Sequence, residues 1–325
     1  MILSRTPFRV SFFGGGSDLP GWYSQHGGCV LTSTIDKYTY LSARHMPPYL
    51  GHRYRVSWSH IETVNSREVI RHPSVRGCLQ FLRMDEGYEI VHSGDLPARS
   101  GLGSSSAFTV GLLHALHGLR HEHVTKAGLA REAIEVEQFV LKETVGIQDQ
   151  IECAYGGLNL IEIDPDGSYH VRPVSLRPDR LHELQSHLML FFTGISRTSS
   201  GIQDAQVASI ASGSVDLAPM AAMAHEGLKV LTGSGPIEAF GELLHDGWML
   251  KRAASSAVST PEIDDAYTRA MEAGAYGGKL LGAGGGGFLL IFARPQEQQA
   301  VRSALGMLEC PVVFERAGTQ IVHSS

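Results

Sequence analysis

Three tight glycine runs, at 14–16, 101–103 and 282–287, constrain this 325-residue chain more than any other feature. Glycine permits turns and close backbone approaches that a Cβ forbids, and clustered runs indicate specific tight loops, not a flexible low-complexity chain. The middle run is the most informative. Pro97-Ala98-Arg99-Ser100-Gly101-Leu102-Gly103-Ser104-Ser105-Ser106-Ala107 follows a strand pattern at 88–93 and leads into an apolar helix at 108–117. A loop that opens a helix offers unpaired N–H groups and the positive dipole end, which suits an anion. The same serines suit an ordinary helix cap, and both readings stand at this point. No Gly-Lys-Ser/Thr follows the glycines, which excludes a P-loop. Ser106 stands where a Rossmann fingerprint needs its third glycine. The run 282–287 fits G-x-G-x-x-G but leads into the strand pattern Phe288-Leu289-Leu290-Ile291-Phe292, where a dinucleotide site requires a helix.

A net charge of -6 without a Lys/Arg-rich block argues against nucleic acid or an anionic membrane as the main partner and favours a small molecule. Cys29, Cys78, Cys153 and Cys310 are widely spaced, so structural zinc is not expected and the thiols read as reduced. The amino terminus lacks the apolar stretch of a signal peptide, which predicts a cytoplasmic protein. The length suggests two domains, and homo-oligomerisation is left open.

Along the chain, strands are expected at 2–13 (broken by Pro7), at 27–44 with Asp36 and Lys37 in the middle, and at 52–58. A helix at 73–84 follows, and another at 125–141 carries an apolar stripe of Leu129, Ala130, Ala133, Ile134, Val140 and Leu141. Glu137 falls inside that stripe, so its carboxylate needs a partner: a buried Arg or Lys, or a Mg²⁺ ion. Asp149 opens a short helix behind Gly146, where it either complements the dipole or performs chemistry. Strands at 157–163 and 169–174, a polar connector at 177–183 and a strand at 188–192 come next. Helices at 216–231, 237–255 and 261–273, the last glycine loop, a strand at 287–292, a helix at 295–308 and a strand at 312–314 complete an α+β or α/β chain.

Together the three glycine segments resemble those of the GHMP kinases. Pro7-Phe8-Arg9-Val10-Ser11-Phe12-Phe13-Gly14-Gly15-Gly16-Ser17-Asp18 is similar to the first motif, residues 97–107 to the second, and Lys279-Leu280-Leu281-Gly282-Ala283-Gly284-Gly285-Gly286-Gly287-Phe288 to the third. With Thr34-Ile35-Asp36-Lys37-Tyr38 and Gly146-Ile147-Gln148-Asp149-Gln150, the wording resembles heptose 7-phosphate kinases and the related fucokinase domain.

The resemblance implies an α+β two-domain GHMP kinase fold: a ribosomal-protein-S5-like nucleotide-binding domain at 1–180, with a left-handed βαβ crossover, and a ferredoxin-like domain at 181–325. It implies a sugar kinase using ATP and Mg²⁺ on the anomeric hydroxyl of D-glycero-D-manno-heptose 7-phosphate, for nucleotide-activated heptose and surface polysaccharide. Asp149 would be the catalytic base, with Arg9 or Lys37 as its counter-charge. Pro97, Arg99, Ser100, Gly101, Leu102, Gly103, Ser104, Ser105 and Ser106 would hold ATP, and Ser105 and Glu137 the metal. Gly15, Gly16, Ser17, Asp18, Arg197, Gly284, Gly285 and Gly286 would meet the sugar, with Arg44 or Arg53 as further candidates for its phosphate. A fucokinase or galactokinase activity, or an inactive ATP and sugar sensor, would keep the same fold.

Overall fold

A computed structural model describes residues 1–195, 215–255 and 257–325; Arg197, expected to bind substrate, lies outside these. Apolar, β-branched sequence makes β1 (Ile2–Phe13) and β2 (Gly28–His45) long strands, and they pair antiparallel from Ile2 against Ala43 to Phe13 against Leu31. Pro7 does not break β1. The register instead jumps there, since Pro7 faces Tyr38 and Phe8 faces Ile35, which bulges Asp36 and Lys37 out of the ladder.

The second edge of β2 is shared. Its first half pairs with β6 (Leu158–Ile163) and its last residues with β5 (Tyr88–Gly94). The hairpin β3 (Tyr54–Ser57) and β4 (Ile61–Val64) extends the sheet beyond β5, β7 (Tyr169–Pro173) pairs with β6, and β12 (Gln320–Ser324) closes the other edge on β1. The last residues therefore return to the first sheet, and Phe314 bridges Ile35 on the way. A division at 180 does not describe this arrangement, because the end of the chain completes the first layer.

On this sheet packs α3 (Ser104–Leu119), apolar all round and buried over most of its length. Beside it run α2 (Pro73–Phe81), α4 (Lys126–Glu135) and α5 (Gln148–Tyr155). The helix expected at 125–141 is regular only to Glu135; residues Val136–Val140 form a π-helical turn, a distortion concentrated at functional sites. The expected polar connector is instead α6 (Pro178–His187), because Pro178 suits a helix start and Arg180 and Leu184 give it a buried face.

The second layer is the antiparallel sheet β11-β8-β10-β9, made of β8 (Leu188–Phe192), β9 (Gly277–Leu280), β10 (Phe288–Phe292) and β11 (Leu308–Glu309). Its core joins Met189, Leu289 and Ile291 to Ile263, Tyr267 and Val301, supplied by the helices α9 (Pro261–Glu272) and α10 (Gln298–Leu305). The helices α7 (Ala218–Thr232) and α8 (Glu238–Ala254) link the layers: α7 packs on β1 and β2, and α8 on β9. Phe240 of α8 touches Phe13 edge-on, with ring centroids 5.0 Å apart, and Phe292 at 5.8 Å, so one aromatic chain spans both halves. No helix among the described residues is long and apolar enough to cross a membrane.

Candidate active site

Between the halves opens a cleft of about 640 Å³, lined by Arg9, Asp18, Ser104, Asp149, Lys251 and Lys279 among others. The ends of β1 and β9 and the starts of α3 and α5 meet there. Sequence dictates much of this locally. Gly103, at φ +75°, precedes the first turn of α3, and no side chain caps that helix. The serines are thus not an N-cap. Ser104 instead accepts from the Arg99 N–H at 3.1 Å, which folds the loop back on itself, and Ser104, Ser105 and Ser106 all line the cleft.

The third glycine run serves as a brace. A Cβ on Gly101 would lie 2.4 Å from the Leu281 carbonyl oxygen, and one on Gly282 would lie 2.5 Å from Cα of Gly101. Only two glycines allow these backbones to touch. Gly282 and Ala283 line the cleft, whereas Gly284, Gly285 and Gly286, expected to approach substrate, lie outside its lining. Gly284 and Gly285 pack on Val258, and Gly286 on Ile195, so this part of the run is structural support.

Arg9 and Asp149 form the central pair. Nε and Nη2 of Arg9 donate to the two carboxylate oxygens at 2.7 and 2.8 Å, and Nη1 donates to the Gly101 carbonyl at 2.8 Å. A planar fork thus fixes the carboxylate against the glycine loop. Asp149 retains 26% exposure of its side chain toward the cleft, while Arg9 is buried behind it at 5%. Gln148 beside it accepts from Ser11 at 2.7 Å.

Asp18 is buried next to them. The Gly16 and Gln148 amides donate to it at 2.9 and 3.3 Å. A Cβ on Gly146 would sit 1.8 Å from its Oδ2, which explains the glycine before Gln148. Burial, and then the charge of Asp149, raises the Asp18 pKa above its ordinary value against those amides.

Glu137 is 1% exposed. Ser106 and Gln150 donate to its Oε2 at 2.9 and 2.5 Å, while Oε1 is buried without a hydrogen-bond partner. Burial pushes its carboxyl up to about 7, against the opposing hydrogen bonds. Among the described residues no Arg or Lys answers it, which disfavours the ion-pair reading. An orphaned carboxylate oxygen beside a hydroxyl is a hard-oxygen donor set that fits Mg²⁺ completed by phosphate oxygens.

Several expectations are corrected. The hydroxyl brought to Glu137 is that of Ser106; Ser105, one position earlier on the helix, is exposed. Lys37 does not reach Asp149, because the bulge turns it to Asp36, which it meets at 3.0 Å. Ser17 is fully buried and ties Gly14 to Cys29. Pro97, Ser100 and Leu102 lie outside the cleft lining, and Leu102 acts through its carbonyl, which accepts from the Arg9 N–H at 3.0 Å. Arg44 pairs with Glu89 at 2.5 Å and Arg53 with the Asp85 carbonyl, both away from the cleft.

Two cleft residues escaped the sequence reading. Lys251, in the last turn of α8, donates to the carbonyls of Gly282 and Leu280, and Lys279 of β9 donates to the Phe12 carbonyl at 2.8 Å. The available signal was Lys279 inside an otherwise apolar strand.

This geometry provides an anion seat at a helix start, a carboxylate clamped by arginine and a carboxylate poised for a cation. Such an arrangement suits phosphoryl transfer. Residues 73–157 match the GHMP kinases N terminal domain and residues 224–306 the GHMP kinases C terminal domain. The chain belongs to the GHMP kinase family and is a sugar kinase. It is 25% identical over 315 residues to D-glycero-alpha-D-manno-heptose 7-phosphate kinase of Campylobacter jejuni, covering 94% of this chain and 93% of that protein. It is 26% identical to the galactokinase of Pyrococcus furiosus, covering 94% and 92%. Among solved structures, a D-glycero-D-manno-heptose 1-phosphate kinase from Bacteroides thetaiotaomicron superposes with a TM-score of 0.79 at 24% identity, over 100% of both chains.

Proposed function

We propose that this kinase transfers the γ-phosphoryl group of ATP to the anomeric hydroxyl of D-glycero-D-manno-heptose 7-phosphate, giving the 1,7-bisphosphate for nucleotide-activated heptose. The observation that carries the chemistry is the bidentate Arg9–Asp149 pair at the mouth of the loop. The likeness to the Campylobacter heptose 7-phosphate kinase, over nearly the full length of both chains, supports the acceptor. The reading places the enzyme in the cytoplasm, where ATP and sugar phosphates meet.

Asp149 takes the proton of the anomeric hydroxyl as its oxygen forms the new bond to phosphorus; the bond to the β-phosphate oxygen breaks and ADP leaves. Arg9 keeps the carboxylate oriented, and its contact with Gly101 ties that orientation to the loop holding the phosphates. The helix start at Ser104 and the amides around it receive the phosphate charge. Ser106 and Glu137 would hold Mg²⁺, which when bound neutralises charge on the β and γ oxygens. Asp18, with Gly15 and Gly16, faces the acceptor side of the same cleft.

The test is ADP release by the purified chain with ATP and Mg²⁺ against heptose 7-phosphate, galactose, fucose and mevalonate. The expected outcome is a kcat/KM for heptose 7-phosphate at least about 100-fold above the neutral sugars, as follows when a charged group is specifically recognised. A preference for galactose, which the Pyrococcus relative favours as a second reading, reassigns the acceptor. ATP binding without turnover of any acceptor indicates a sensor.

A further inference from the structure

The wall of the cleft supplied by the second half of the chain carries positive charge that no described group answers. Lys279 is 8% exposed, and its ammonium meets only the Phe12 carbonyl. Lys251, half-buried, turns its ammonium inward to the Gly282 and Leu280 carbonyls. Among the described residues no carboxylate is hydrogen-bonded to or ion-paired with either lysine. Backbone carbonyls accept protons but bring no net charge, so they compensate the loss of hydration only in part.

Arg9, itself paired with Asp149, lies close enough for its charge to act on both lysines. Burial and the charge of Arg9 lower Lys251 to about 8, and burial with the charges of Lys251 and Arg9 lowers Lys279 well below its ordinary value. The carboxylates nearby are already engaged: Asp149 by Arg9, and Asp18 by the amides of Gly16 and Gln148. With these acids engaged, the two lysines on this ligand cleft have no counter-charge among the described residues, and they are complementary to a ligand that brings negative charge.

We propose that Lys251 and Lys279 form a phosphoryl seat in the cleft wall, occupied by the phosphate that the acceptor sugar carries. The inference rests on the kinase reading of the cleft and names its specificity-determining residues. Two sources share this chemistry, the acceptor's own phosphate and the terminal phosphoryl group of the nucleotide. The acceptor is favoured because the start of α3 and the Ser106–Glu137 pair already serve the nucleotide from the first half of the chain. A neutral sugar would leave both ammonium groups unanswered.

Full-length K251M, K279M and the double variant test this, since methionine keeps the apolar stem and removes the charge. Their melting temperatures should equal or exceed the parent's, as buried charge without a counterion is removed. The acceptor KM for heptose 7-phosphate should rise about 30-fold or more in each, with the Kd for ATP, measured without acceptor, changed less than about two-fold. A rise in the Kd for ATP with the acceptor KM unchanged keeps the phosphoryl seat and assigns it to the nucleotide. Isothermal titration of inorganic phosphate decides independently of turnover: the parent should bind it and the double variant should not. Equal phosphate binding by both, with both kinetic constants unchanged, overturns the seat. If the parent turns over no heptose 7-phosphate but loses phosphate binding in the double variant, the acceptor assignment fails and the seat stands.

Discussion

Asp149 meets the cleft with a guanidinium clamped to both of its oxygens, whereas Glu137, 1% exposed, is met only by neutral donors and keeps one oxygen without a partner. Both carboxylates lie beside the same glycine loop. Asp149 is a finished arrangement, oriented before substrate arrives. Glu137 is unfinished: burial raises its carboxyl to about 7, and in the proposed mechanism a cation would stabilise the charged form. A phosphotransferase needs both: a base whose geometry is fixed, and a metal ligand whose charge is answered only when the nucleotide complex forms.

The largest expected effect breaks the Asp149 side. D149N should lower kcat by about 10²- to 10⁴-fold, the range of a lost general base, with the Kd for ATP nearly unchanged. Near-normal turnover would remove Asp149 from the mechanism. On the Glu137 side, E137Q should raise the Mg²⁺ concentration for half-maximal rate by about 10- to 100-fold, as when a metal site loses one charged ligand, and excess Mg²⁺ should recover much of kcat. No recovery at any Mg²⁺ concentration would point to a structural role.

A smaller effect separates two neighbouring serines. S106A removes the hydroxyl that donates to Glu137 and should weaken Mg²⁺ several-fold, in line with about 1 kcal/mol for one hydrogen bond, and by more than S105A does. The reverse order in a Mg²⁺ titration would restore Ser105 as the ligand. The smallest effect is on stability. With its folded pKa near 7 and its unfolded value near 4.5, Glu137 binds its proton more tightly in the folded state, so its contribution is complete below pH 4.5 and declines as pH rises toward 7. Glu152, buried and raised to about 8, declines in the same direction over a wider window. Metal-free E137Q should therefore melt with a shallower fall between pH 4.5 and 7 than its parent. A profile parallel to the parent's would contradict the buried protonated form.

Sequence made the first wall of this cleft legible because its parts are contiguous. The loop at 97–107, the acid on an apolar helix face and the acid behind Gly146 each declare themselves within a few residues. Lys37 misled for the same reason: it follows a familiar segment, but a register shift near Pro7, invisible in local pattern, turns it away. Ser105 differed from Ser106 only in which face of the first turn looks toward Glu137, a matter of helix phase that three equal side chains do not reveal. Lys251 gave no sequence signal and Lys279 only its place inside an apolar strand, because their burial and missing counter-charge depend on the packing of α8 and β9 against the first sheet.

The return of β12 to β1 has a mechanical consequence. The second half of the chain leaves the first sheet after β7 and rejoins it near Phe314, so the chain itself tethers it at both ends, in addition to the packing between the halves. A body held at one point can swivel freely, while one held at two swings about the line between them. Two such tethers, with α7 packed on β1 and β2 and the backbones of Gly101 and Gly282 in contact, limit how far the second half can turn against the first.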